Sequence, residues 1–350
     1  MTTSVVIPAP QKPWKATKRQ RVETASILTV SLFISVLLVG VTPLKGKIAY
    51  VATFLLVFGL IDYTIVRIEH GKAAGADALA RAVIISSVVV ALFPVVSILW
   101  TVWDRGHEGL RWNLFTTDMH STPFTDENLS HGGLLHAILG STLIVGAALV
   151  ISLPLGLLTA IYLTEIKGRF ERPIRFLVQS MSGVPSVVAG LFILAAVVYP
   201  LTKAYSGFEG SLALAILMVP TIARTAEEVL LLIPNDLRES GVALGGTQWK
   251  TVKQIVLPAA RSGLITTLIL AVARVAGETA PIVLLTGGGD TTSWNIFHGP
   301  IGTIPFYVWR AYSIGTDAAA ARAWSAILVL LIIVLVLFMT ARFLGGRKSK

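Results

Sequence analysis

Eight runs of this 350-residue chain are apolar over roughly the 20 residues a helix needs to cross a hydrocarbon core of about 30 Å. They cover residues 25–41, 48–66, 82–103, 134–163, 176–199, 211–233, 264–285 and 324–344. Inside a bilayer each backbone N–H and C=O must find its partner within the segment, so such runs fold as helices. The chain is 54% hydrophobic and 14% charged, with a mean hydropathy of +0.75, which excludes a soluble enzyme. The expected fold class is therefore all-α, a polytopic helical bundle in a membrane. The first run, at 17 residues, also has the length of a signal anchor, but no small-residue cleavage site follows it, so it is kept as a span. Cysteine is absent, which excludes disulfides, thiol catalysis and Cys-ligated metals. The six histidines show no metal-binding spacing, so neither a metal site nor a catalytic residue is expected.

Charge sets the orientation. The net charge is +10, from 29 Lys and Arg against 19 Asp and Glu. These charges lie in short loops between apolar runs, not on one face of a polar domain, so nucleic acid is not an expected partner. Eight crossings place both termini on one side. With the termini inside, the inner segments hold 20 Lys and Arg and the outer ones seven, so both termini are expected in the cytoplasm. Residues 1–24, containing PAPQKP, read as a basic cytoplasmic arm without a fold, and 346–350 as a basic tail. Residues 25–72 read as a transmembrane hairpin closed by the short loop VTPLKGK, with Asp62 near its inner end as a snorkelling or hydrogen-bonded residue. Two outer connections, 104–133 and 286–323, are rich in Gly, Pro, Thr, Asp and Trp and are expected to fold over the membrane surface.

Two arginines remain within the spans. Arg224 lies in VPTIARTAEEVL with Glu227 and Glu228 three and four residues later, and Arg274 in ARVAGETAP with Glu278 four residues later. An ionisable side chain in a bilayer costs at least ~2.5 kcal/mol, so these groups face a protein interior or a water-filled path. At 1.5 Å per residue, Arg224 lies roughly 14 Å and Arg274 about 15 Å from the same cytoplasmic edge. Two guanidinium groups at one level suit a tetrahedral oxyanion, because each offers planar paired donors. The i+3 and i+4 spacings also allow internal ion pairs, Arg224–Glu227 and Arg274–Glu278, which would brace the bundle. Pro154, Gly156, Gly183, Pro185, Gly190, Pro220, Gly277 and Pro281 each weaken a helix within these spans. Gly146, Ala147, Ala148 and Gly156 suit close helix packing.

Between the sixth and seventh spans, residues 234–258 carry helix-forming stretches on both sides of Gly245 and Gly246 and a proline where the next span begins. Glu239, Ala243, Gly245, Ile255, Leu257 and Pro258 fit the spacing EAA-x3-G-x9-I-x-LP, with Ser240 and Gly241 standing in place of two alanines. This resembles the coupling loop of the membrane subunits of ABC importers. The segment GGTQWKT lacks the glycine directly before the lysine that a P-loop needs.

The fragments RWNLFT, GGLLHAILGSTLI, LPLGLLTAIYLTE, GVPSVVAGLF, VPTIARTAEEVL, LRESGVALGG and ARVAGETAPIVLLT occur in this order and together resemble the A-type permease subunit of phosphate-specific ABC importers. The resemblance implies a six-span, MetI-like permease core over 80–345, with the hairpin 25–72 as an addition. It implies partnership with a C-type phosphate permease, two copies of a cytoplasmic ATPase holding ATP and Mg, and an extracytoplasmic phosphate-binding protein, with no cofactor in this chain. It further implies a phosphate path containing Arg224, Arg274, Glu278 and, more weakly, Glu227. The alternatives are a permease for sulfate, molybdate or phosphonate, the C-type phosphate permease, a transporter or channel working without an ATPase, and a sensor of phosphate status.

Overall fold

The computed structural model describes residues 18–346, so residues 1–17 of the basic arm and 347–350 of the tail lie outside the described residues. It is helical almost throughout; among the described residues the only strand-like pairing is an isolated bridge between Gly287 and Ile301. Five helical stretches are long and apolar enough to cross a membrane, six if one sharply bent pair counts as a span. The chain divides into two compact units, residues 1–99 and 100–350.

In the first unit α1 (Lys18–Val41) starts within the segment read as an unfolded arm, so residues 18–24 are helical. The helix α2 (Lys47–Gly106) contains one residue outside helical geometry, Gly71, at φ 88° and ψ −178°. There the chain reverses, and two arms of α2 lie antiparallel. Asp62 on the first arm is buried and accepts a hydrogen bond of 2.7 Å from Arg81 on the second. Asp62 is thus hydrogen-bonded within its own unit. The arm that pairs with residues 47–70 is the one that follows Gly71, which sequence reading assigned to the permease core. The division at residue 99 falls inside the third apolar run. Gly71 occupies a backbone region that only glycine adopts readily, so Gly71→Ala is expected to cost about 1–3 kcal/mol. Faster hydrogen exchange of the amides between residues 60 and 82 would report it; unchanged protection would show that the turn tolerates a side chain.

The second unit is built around α4 (Leu135–Ile161) and α7 (Gly207–Leu231), which pack along their length. Gly156 of α4 faces Ile222 so closely that a Cβ would lie 2.7 Å from its Cβ and Cγ2. Ala148 is fully buried beside it in the cluster of Ile144, Leu214, Met218 and Ile222. Gly146, by contrast, is exposed and touches nothing, so the close contact involves only part of the small-residue set. The start of α7 is capped by Ser206, whose hydroxyl accepts from the Phe208 amide at 3.1 Å and donates to the buried Glu209 carboxylate.

Two of the expected straight spans are broken. The fifth run becomes α5 (Glu171–Ser182), bent by 103° at Gly183, Val184 and Pro185 from α6 (Ser186–Ile193), which continues as a π-helix over Leu194–Thr202. Proline cannot donate to the preceding turn, and the residue before it disfavours helical geometry, so the pair Val184–Pro185 ends α5. The seventh run belongs to a longer helix. It begins at α9 (Gln248–Thr251), passes through a π turn at Val252–Val256 and continues as α10 (Leu257–Ala276). Pro258 therefore lies in an uninterrupted helix and does not mark its start, because the π turn before it absorbs the missing donor. At Gly277–Thr279 the helix stops, and α11 (Ala280–Leu285) follows. The two segments after the breaks, α6 and α11, pack together, with Ile193 and Leu285 in one buried cluster.

The outer connections interlock. Asp118, in the first, accepts from the Thr292 amide and hydroxyl of the second at 3.0 and 3.1 Å. Burial would raise its carboxyl pKa, but the hydrogen bonds from His120 and Thr292 prevail and hold it below the usual carboxylate range. The second connection contains α12 (Ile304–Ile314), with Arg310 bonded to Asp290 at 2.6 Å. The last long helix, α13 (Asp317–Gly346), buries Arg322, which donates to the carbonyls of Asp126, Asn128 and His131.

Candidate functional site

Arg274 lies in the last turn of α10, and its Nη1 donates to the hydroxyl of Thr221 on α7 at 3.3 Å. That hydroxyl donates in turn to the Leu217 carbonyl at 3.1 Å, which leaves its lone pairs turned toward the arginine. Thr221 and Arg224 are three residues apart on α7 and so share a face. Two guanidinium groups from neighbouring helices are therefore brought to one face of this unit, and both side chains are exposed.

Neither arginine is held by the acid that spacing suggested. Glu278 falls beyond the end of α10, after Gly277 has broken the helix, so the i+4 geometry expected for Arg274–Glu278 is lost. Its own amide donates to the Val275 carbonyl at 3.1 Å. Glu227 turns to a different helix: it is buried and accepts a 2.5 Å hydrogen bond from Arg175 of α5. Arg175 also reaches Glu171 on its own helix at 3.3 Å. Among the described residues Arg224 makes no ion pair and no side-chain hydrogen bond. The internal pairs Arg224–Glu227 and Arg274–Glu278 do not form.

The second constellation lies on the loop between α7 and α10. α8 (Asn235–Ala243) and α9 meet at a turn in which Gly245 has φ +81°, and Thr247 caps α9 by accepting from the Lys250 amide. This is the pair of short helices with a glycine turn that the spacing of Glu239, Ala243 and Gly245 predicts. Gly241 explains one departure from the motif. A Cβ there would lie 2.7 Å from the Thr251 methyl and 2.8 Å from Ile255 Cδ1, so the closest approach of α8 to the following helix leaves no room for the alanine. Ile255 and Leu257 are half-buried, whereas Glu239, Ala243 and Pro258 are exposed. Val242, Leu244 and Trp249 leave apolar surface uncovered on the same loop.

A family model described as the binding-protein-dependent transport system inner membrane component matches residues 152–350. The phosphate transport system permease protein PstA 1 of Mycobacterium tuberculosis strain H37Rv is 37% identical over 278 residues, covering 78% of this chain and 90% of that relative. PstA of Haemophilus influenzae is 39% identical over 256 residues, 72% and 88% of the two chains. The chain belongs to the PstA family. Among solved structures, the inward-facing MetNI methionine ABC transporter aligns at 18% identity over 61% of this chain and 93% of that chain, with a TM-score of 0.48. As a PstA family member the chain is a multi-pass permease subunit of an ABC transporter, a transport component. Its matched region contains both arginine helices and the whole α8–α9 loop.

Sequence reasoning missed one residue of this PstA permease that ties the loop to the bundle. Arg238, one position before Glu239, donates through Nη2 and Nε to the buried carboxylate of Glu165 at 2.8 and 3.0 Å. It also donates to the carbonyl of Leu230 in the last turn of α7 and to that of Ile233 just beyond its end. Glu165 belongs to the π turn that ends α4, at Tyr162–Ile166. One guanidinium thus binds the ends of α4 and α7 to the start of α8. The sequence signal was available: an acid closing one apolar run and an arginine opening the coupling motif, on the same side of the membrane.

Proposed function

We propose that this chain is the A-type half of an importer that moves inorganic phosphate into the cytoplasm at the expense of ATP bound elsewhere. What supports this reading most directly is the convergence of Arg224 and Arg274 on the Thr221 face, two exposed guanidinium groups with no carboxylate among the described residues against them. In a bilayer such a face cannot meet lipid. It is completed by a second permease of C-type, and phosphate passes between the two. Glu278, beside the break that ends α10, belongs to the same path, whereas Glu227 is held off it by Arg175. Glu239, Ala243, Gly245, Ile255, Leu257 and Pro258 form the part that couples to a cytoplasmic ATPase, present in two copies. The exposed Val242, Leu244 and Trp249 enter its groove. ATP and Mg belong to that subunit, and this chain carries no cofactor. Both termini are cytoplasmic, and an extracytoplasmic phosphate-binding protein delivers the ion to the outer connections.

The test is reconstitution of the chain with a C-type permease, the ATPase and the binding protein in proteoliposomes. Uptake of radiolabelled phosphate should require ATP and should resist excess sulfate or molybdate. Uptake without ATP, or faster transport of sulfate than of phosphate, would reject the proposal.

A further inference from the structure

We infer that Arg175 is a positioning residue for phosphate transport: by holding the Glu227 carboxylate of α7 from its place on α5, it keeps Arg224 free to meet the anion. The inference rests on the reading of Arg224 as part of the path and extends it to a residue outside the motifs read in the sequence.

Glu227 is three residues after Arg224 on α7, a separation at which acid and base side chains on a helix meet. Left alone in a low-dielectric environment, a buried carboxylate and an uncompensated guanidinium at that distance would pair. The structure shows another arrangement. Glu227 is 8% exposed and accepts from Arg175 Nη1 at 2.5 Å, while Arg224 stays exposed without a partner among the described residues. Arg175 is itself held by Glu171 one turn earlier, so its guanidinium is aimed across to α7 by its own helix. α5 is the segment that ends in the 103° bend at Gly183–Pro185. Its position therefore decides which arginine Glu227 faces. With α5 seated, the acid is neutralised by Arg175, and Arg224 carries a full positive charge into the path. With α5 withdrawn, Glu227 and Arg224 would neutralise each other and the anion would lose one of its two donors.

Charge, not packing, is what this role needs, and that gives a test by rescue. In the reconstituted complex, Arg175→Gln should lower ATP-dependent phosphate uptake by about tenfold, because Glu227 is then released to Arg224. The double variant Arg175→Gln/Glu227→Gln should recover most of that loss, and Arg175→Lys, which keeps the charge, should retain uptake. A purely structural tie between α5 and α7 predicts the opposite, since the double variant lacks the same tie. Arg224→Gln is measured alongside. If it abolishes uptake while the double variant is no better than Arg175→Gln, the inference fails and the path reading stands. If Arg175→Gln transports normally, the inference fails as well. If Arg224→Gln transports like wild type, the path reading fails and this inference with it.

Discussion

Complexes carrying Arg274→Gln are expected to lose phosphate uptake while still assembling with the ATPase. The reason lies in how little Arg274 does for the fold. Its side chain is exposed, and its single bond among the described residues is a 3.3 Å contact to the Thr221 hydroxyl. Removing it leaves no buried acid unpaired, because Glu278 has left the helix before it could pair. Against an oxyanion, however, a charged hydrogen bond contributes about 1.5–3 kcal/mol, a loss of roughly ten- to 150-fold in rate or affinity. Labelled uptake in proteoliposomes measures the first effect and co-purification of the ATPase the second. Wild-type uptake by Arg274→Gln would remove this residue from the path.

The second large effect is expected at Arg238. Here the side chain is structural, and its loss strands a buried charge. Glu165 is 5% exposed at its side chain and Arg238 20%. Breaking a buried pair from one side costs about 3–5 kcal/mol, and the residual exposure of Arg238 places this case near 3 kcal/mol. Arg238→Ala should therefore lower the thermal midpoint of the complex and, because α8 is no longer bound to α4 and α7, let ATP be hydrolysed without matching phosphate uptake. Replacing Glu165 by glutamine in the same chain should return part of the stability, since no charge is then left buried. Uptake per ATP unchanged in Arg238→Ala would show that the α8–α9 loop transmits closure by another contact. Gly245 gives an independent check on the same loop. Its φ of +81° is strained for other residues, so Gly245→Val should weaken coupling without touching either arginine.

The membrane character, the positions of most helices and the short-helix pair around Gly245 were legible in the sequence, because hydropathy and helical spacing are local properties. Three things were not. The runs 176–199 and 264–285 read as single spans, since apolar composition continues through Gly183–Pro185 and Gly277–Thr279 while the backbone turns. Composition measures how much of a segment prefers lipid, and it is blind to its direction. The reversal between the runs 48–66 and 82–103 followed from their being separate spans, but its place at Gly71 did not, because a turn at one glycine leaves no loop to recognise. Arg175, finally, lies 52 residues from the acid it binds.

These misses share a cause. By itself the sequence determined that the chain is a helical membrane protein and where charge is retained within its apolar runs despite its cost. The tertiary structure alone decided which charges are neutralised and by whom. Spacing along a helix states which side chains can meet, but a carboxylate between two arginines goes to the one whose geometry and burial offer the better bond. For Glu227 that arginine comes from another helix, and Arg224 is left open.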